Sequence, residues 1–176
     1  YYDLAICDPP YGINLAEWDK ETPKQEYFDE LRRVSKNQII WGGNYFASSL
    51  PNSSCWLIWD KVTGDNLYAD AELAWTSFDT AVRTFKWTWH GFIQQNMGNK
   101  QERIHPTEKP IQLYQWILQN YAKEGDLILD THLGSASIAI ACHREKFSLV
   151  GCELIEEYYL AGLKRLENEQ MQTTLF

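Results

Sequence analysis

The chain has no run of 18 apolar residues, so nothing in it reads as a membrane span. No secretory signal is visible, and the chain starts at Tyr1 rather than Met, which leaves room for residues upstream. The four cysteines, Cys7, Cys55, Cys142 and Cys152, show no CxxC spacing; three sit in apolar runs, and they read as reduced core thiols of a cytoplasmic protein. The histidines His90, His105, His132 and His143 have no ligand-like spacing, so no metal site is expected. Positive charge is scarce: 16 Lys and Arg stand against 24 Asp and Glu, and a formal charge of -8 argues on its face against a nucleic-acid partner. There is no repeat and no low-complexity segment, and 176 residues suit one core, so a single domain is expected over residues 1–176.

Aromatic residues are plentiful. Eight Trp and ten Tyr are more than a core of this size needs, and several are expected to line a cleft. The most informative stretch is Asp8-Pro9-Pro10-Tyr11, directly after the apolar run Leu4-Ala5-Ile6-Cys7. Each proline fixes its own φ and lacks an N–H. Each also pushes the residue before it towards extended geometry. A strand ending this way offers the Asp8 side chain and the Pro9 carbonyl as acceptors, with Tyr11 to stack on. A flat ligand carrying an exocyclic amino group, such as adenine, suits that set; taken alone, the four residues suit a structural turn equally well.

A second segment, Asp126 to Asp130, reads as a short buried parallel strand. It runs into Thr131-His132-Leu133-Gly134-Ser135-Ala136-Ser137 and then a helical pattern. Small residues at such a turn let a ligand approach the backbone, and the helix N-terminus offers free N–H groups. The next strand, Phe147 to Cys152, ends at Glu153, where a carboxylate suits the two hydroxyls of a ribose. The turn lacks a full G-x-G-x-x-G, so a generic βαβ turn stands as the alternative.

The coarse organisation is α/β. Glu26–Val34 has helical spacing, Gln38–Trp41 and Ser54–Trp59 read as strands, and Asp70–Ser77 with Thr80–Trp89 reads as a hairpin. Pro110 starts a helix with Ile111, Tyr114, Ile117, Leu118 and Tyr121 on one face. The last helix is expected to turn Ile155, Tyr159, Leu163 and Leu166 inward. A mostly parallel, twisted sheet with helices on both faces and an antiparallel edge hairpin follows. Ligands of such sheets lie at the carboxyl ends of the strands, where Asp8 and Asp130 both fall.

Charge distribution qualifies the net charge. Between Thr80 and Lys109 lie Arg83, Lys86, Lys100, Arg103 and Lys109 against only Glu102 and Glu108. Trp87, Trp89, His90 and Phe92 share the window with Gln94, Gln95, Asn96 and Asn99. Phosphate contact, base stacking and base-edge reading need such side chains. Arg83, Lys86, Lys100 and Arg103 are the candidate DNA contacts; the bland alternative is an edge strand and a solvated loop.

Together these stretches resemble the S-adenosylmethionine-dependent amino-methyltransferases of DNA, in the adenine-N6 branch. Asp8-Pro9-Pro10-Tyr11 looks like the catalytic motif, and Asp130 to Ser137 looks like the S-adenosylmethionine loop. His105-Pro106-Thr107-Glu108-Lys109-Pro110 looks like the element that closes over the methionine end of the cofactor. Their order is that of the permuted, beta subclass, and Trp41-Gly42-Gly43-Asn44-Tyr45-Phe46 and Ile58-Trp59-Asp60-Lys61 resemble phage-type adenine methylases. The resemblance implies a single Rossmann-like methyltransferase domain. It implies catalytic roles for Asp8, Pro9, Pro10 and Tyr11. It implies cofactor contacts from Asp8, His105, Thr107, Lys109, Asp130, His132, Leu133, Gly134, Ser135, Ser137 and Glu153. The implied partner is DNA, within restriction-modification, with a homodimer or an accessory recognition subunit making up for the lack of a separate target-recognition domain. Ala136 replaces a second Gly, at little cost if its φ is negative; His132 replaces a commoner aromatic residue or Pro. The alternatives are the same chemistry on cytosine N4, RNA or a protein amide, or a non-catalytic module that retains the fold.

Overall fold

The computed structural model describes residues 1–64, 69–90, 93–100 and 103–173. In chain order the elements are β1 (Tyr2–Cys7), α1 (Gln25–Val34), β2 (Ser35–Trp41), β3 (Trp56–Asp60), β4 (Ala71–Thr76) and β5 (Arg83–Lys86). Then come β6 (Trp89–His90), β7 (Ile93–Gln94), a 3-10 turn at Met97–Asn99, α2 (Ile111–Tyr121), β8 (Leu127–Asp130), α3 (Ser137–Glu145), β9 (Ser148–Gly151) and α4 (Glu156–Thr173). Seven strands form one sheet in the order β5-β3-β4-β2-β1-β8-β9, and β6 pairs with β7 apart from it.

The centre of the sheet explains the apolar runs. In β1, Leu4 and Ile6 face one layer while Ala5 and Cys7 face the other, and all four are buried. A strand covered on both faces cannot alternate with polar residues. On one side α2, α3 and Leu166 of α4 pack over Leu4, Ile6, Ile39 and Ile128. On the other, Phe28 and Leu31 of α1 pack with Ile40, Trp75 and Leu129. Each large side chain so buried contributes roughly 1.5–3 kcal/mol.

The mostly parallel sheet with helices on both faces is as expected; the hairpin has other partners. β4 runs antiparallel to β3 on one side and β2 on the other. Both of its edges are taken, so β5 pairs parallel to β3 instead, with Leu57 opposite Arg83 and Asp60 opposite Lys86. As the one reversed strand of the seven, β4 begins where its neighbours end, so Ala71 and Glu72 sit at the carboxyl edge beside Asp60 and Trp59.

The inner face of α4 also differs. Tyr159 and Leu163 are 44% and 39% exposed, whereas Gly162 is buried and Tyr158, Arg165 and Leu166 are partly covered. The inward stripe is rotated because α4 lies against α3 and the turn before it. There a Cβ on Gly162 would come within 2.9 Å of the Ala136 Cβ.

Candidate active site

Asp8 follows the last residue of β1, at the carboxyl edge. The loop after it is organised by Asp19, which is buried. Its Oδ1 accepts the backbone N–H groups of Tyr11 at 2.7 Å and Gly12 at 2.9 Å, and its Oδ2 accepts that of Leu15 at 3.1 Å. This carboxylate fixes a turn whose two prolines have no N–H of their own to contribute. The Tyr11 hydroxyl donates to Asp8 Oδ1 at 2.6 Å, and its ring stacks on Tyr45 with centroids 4.9 Å apart. Space for the ring comes from Gly42, with φ +72°, where a Cβ would lie 2.2 Å from a Tyr11 ring carbon. The stretch 41–46 thus cradles the motif tyrosine.

The second turn follows β8. Glu153 closes it by accepting the Gly134 N–H at Oε2 (2.7 Å) and the Ile155 N–H at Oε1 (2.9 Å). Asp130 is buried and accepts the His132 N–H at 2.9 Å. Ser137, also buried, bonds the Ser135 hydroxyl at 3.0 Å. Ala136 has φ 58°, contrary to the negative value expected of it. The left-handed conformation costs a non-glycine residue about 1–2 kcal/mol; the turn tolerates it because Gly162 leaves room for the methyl group.

Burial pushes the Asp130 carboxyl up to about 7; the His132 N–H opposes this, while the charges of Asp8 and Glu153 add to it. Its pKa in the folded chain lies above its unfolded value, so between pH 4 and 7 the fold keeps a proton that the unfolded chain has lost. Stability therefore falls as pH rises through that window. Asp130→Asn is expected to raise the melting temperature at pH 8, by on the order of 2–4 kcal/mol of stability, and to change it little at pH 4. Thermal melts at the two pH values check this; a variant less stable than the parent at pH 8 would refute it.

The His-Pro-Thr element bridges the two turns. Its His105 ring packs against Trp18 at 5.3 Å and Tyr158 at 4.4 Å, and burial lowers its pKa. Lys109, 2% exposed, pairs its ammonium with Asp8 Oδ2. Glu108 is tied to α4: its Oε1 lies 2.9 Å from Arg165 Nη2. Arg165 also donates through Nη1 to the Ser135 carbonyl at 2.9 Å and the Ser137 hydroxyl at 3.1 Å. One arginine thus clamps the element to the second turn.

Two cavities meet at this junction. The first, of about 370 Å³, lies over the second turn and is walled by Asp8, His105, His132, Leu133, Gly134 and Glu153, among others. Its volume suits a small-molecule site, and in its wall the Trp18 indole N–H is buried without a hydrogen-bond partner among the described residues. The second, of about 440 Å³, opens beside Tyr11, Tyr45, Trp59, Glu72, Trp89 and Arg103. Thr107, Glu108 and Lys109 line both. Asp130 and Ser137 are not in the wall of either; they support the turn from beneath.

The four basic candidates separate. Arg103 borders the second cavity, its guanidinium 4.9 Å from the Trp89 ring. Lys86 is exposed, 3.7 Å from Asp60 at the carboxyl edge, while Arg83 is exposed at the start of β5, roughly 10 Å further from that edge. Lys100 is exposed beyond β7. Phe92 and Glu102 of the same window lie outside the described residues.

Residues 56–164 match the DNA methylase family. This chain belongs to that DNA methylase family. Among curated relatives, the type II methyltransferase M.HpaI of Haemophilus parainfluenzae is 34% identical over 78 residues, which cover 44% of this chain and 25% of the relative. The DNA adenine methyltransferase YhdJ of Escherichia coli is 38% identical over 66 residues, 36% of this chain and 21% of the relative. The matched stretches thus span about a quarter of those relatives. A crystal structure of M1.HpyAVI in complex with SAM superposes with a TM-score of 0.61 at 19% identity, covering 94% of this chain and 89% of that one. The α/β methylase fold is therefore shared, with Asp8 and the second turn at the carboxyl edge of its sheet.

Sequence reasoning found both turns and the bridging element but missed Asp19, Glu72, Tyr158 and Arg165. Gly42 and Tyr45 lie in the stretch 41–46, whose resemblance to phage-type adenine methylases implies no role for either residue. Arg165 has no local signal, because on a helix it reads as one more solvated charge.

Proposed function

We propose that this methylase domain transfers a methyl group from S-adenosylmethionine to N6 of adenine in DNA. The observation that carries the reading is the pair of cavities meeting at Thr107, Glu108 and Lys109, one over the glycine turn with Asp8 in its wall and one lined by aromatic rings. S-adenosylmethionine supplies an electrophilic methyl group on a sulfonium. The first cavity suits it: Glu153 faces the place of a ribose, His105 and Trp18 give aromatic surface, and the orphaned Trp18 N–H gains a partner. The second cavity takes the base, which cannot reach a cofactor from inside a duplex and must be flipped out.

An adenine amino group is a weak nucleophile, because its lone pair is delocalised into the ring. Asp8 and the Pro9 carbonyl accept its hydrogens and favour a tetrahedral nitrogen whose lone pair points at the methyl carbon. Tyr11, held by Asp8 and Tyr45, forms the wall against which the base lies. Holding both reactants at near-attack distance supplies much of the acceleration. No covalent enzyme intermediate is required; burial pushes the nearby Cys7 thiol up to about 12 and leaves it un-ionised. In this reading Arg103, beside the second cavity, meets a phosphate of the flipped nucleotide. A cytoplasmic setting within restriction-modification, and a homodimer or accessory subunit to supply target recognition, go with this reading.

The deciding experiment offers the protein labelled S-adenosylmethionine with unmethylated DNA, RNA and a protein lysate, followed by nucleoside analysis. Label in N6-methyladenine of DNA is expected. Label in N4-methylcytosine, in RNA or in protein would replace the substrate; no label with bound cofactor would leave a binding module. DNA affinity should fall steeply with salt, and Arg103→Ala should reduce the salt slope by about 1. An unchanged slope would remove Arg103 from the interface.

A further inference from the structure

The charges at the junction do not end with Lys109. Its buried ammonium lies within ion-pair reach of two carboxylates, Asp8 Oδ2 and Glu72 Oε2, the latter at 3.0 Å. The other oxygen of Glu72 pairs with Lys61 Nζ at 2.6 Å. Asp8, Lys109, Glu72 and Lys61 thus alternate in sign from the first cavity into the second. Burial penalises the charge on Glu72, yet Lys109 and Lys61 together hold its carboxyl below the usual range. Burial likewise opposes the charge on Lys109, and Asp8 and Glu72 hold it above its ordinary value.

This arrangement bears on what Asp8 can accept. Both of its oxygens are engaged, Oδ1 by the Tyr11 hydroxyl and Oδ2 by Lys109. An amino group arriving from the second cavity must share a carboxylate that already neutralises an ammonium. At low local dielectric a lone Lys109–Asp8 pair would hold that charge tightly. Glu72 offers the ammonium a second seat. It can do so because β4 is reversed, which brings its second residue, Glu72, to the carboxyl edge opposite Trp59.

Resting on the methyl transfer proposed above, we propose that Glu72 is a positioning residue for that step, acting through Lys109. It draws the ammonium towards itself when the target amino group engages Asp8, so that the carboxylate is free to accept. Glu72 binds neither the cofactor nor the base directly in this scheme.

Steady-state methyl transfer with Glu72→Gln tests it, with cofactor affinity measured by calorimetry on the same protein. The expected result is a ten- to hundredfold fall in kcat, with KM for DNA and cofactor Kd within twofold of wild type. Glu72→Asp, which keeps the charge, should recover part of the loss and covers the case in which Glu72→Gln fails to fold. In a Lys109→Gln background, Glu72→Gln should cost little more. Unchanged kcat in Glu72→Gln, a rise in KM alone, or an equal fold-loss with and without Lys109 would each overturn the role. An inactive wild type would overturn the proposed function itself; an active wild type with an indifferent Glu72→Gln would overturn this inference only.

Discussion

Arg165→Met is expected to cost about 3–5 kcal/mol of stability, the usual effect of removing one partner of a buried ion pair. The Glu108 side chain is 0% exposed and lies 2.9 Å from Arg165 Nη2. Burial already pushes its carboxyl up, and Arg165 is the first of the groups that hold it down. Methionine keeps the length of the side chain and removes the charge, so the carboxylate is left buried, with the Ile104 N–H as its one remaining hydrogen-bond donor among the described residues. Urea unfolding measures the loss. The double variant Arg165→Met with Glu108→Gln should recover most of it, because the cost comes from the orphaned charge. Cofactor affinity should stay reduced in that double variant, since the Ser135 carbonyl and Ser137 hydroxyl still lack their donor. A loss below 1 kcal/mol in the single variant would show that the clamp does not hold the element.

The second large effect falls on chemistry. Asp8→Ala is expected to lower methyl transfer by roughly 10³-fold or more, the scale of losing a group placed at the reacting atoms. The fold should survive, because Lys109 retains Glu72 and the loop retains Asp19. Cofactor should still bind, with altered affinity. Labelled-methyl transfer beside calorimetry separates the two quantities, and near-normal turnover with bound cofactor would mean that the motif carries no chemistry.

The legible parts of the fold share a cause. β1 and β8 are short apolar runs bounded by charge and turn residues, and a buried parallel strand has few other ways to appear in sequence. Both end in turns whose residues suit ligand binding, so the carboxyl edge is legible before any pairing is known. The pairing of 80–89 was not legible, because periodicity marks a strand without naming its neighbour; β3, not β4, had a free edge. The inner face of α4 is not legible as an apolar stripe, because it packs a glycine and an arginine inward. The φ of Ala136 depends on Gly162, which lies on another element. The place of Glu72 at the carboxyl edge follows from the reversal of β4, which no local pattern reveals.

The central position of β1 has a consequence for how the chain is made. One flank of β1 pairs with β2, which follows soon after, but the other waits for β8. The Leu127 N–H that bonds Asp3 Oδ2 lies 124 residues further on. At ribosomal rates of about 5–20 residues per second, that gap is roughly 6–25 s. Through this interval the nascent β1 has an open, apolar edge of the kind that recruits other strands. The carboxylate proposed to perform the chemistry is therefore made long before β8, the strand that completes its side of the sheet. Slow elongation across the middle of the chain would lengthen the exposure, so soluble yield should track translation speed between β2 and β8.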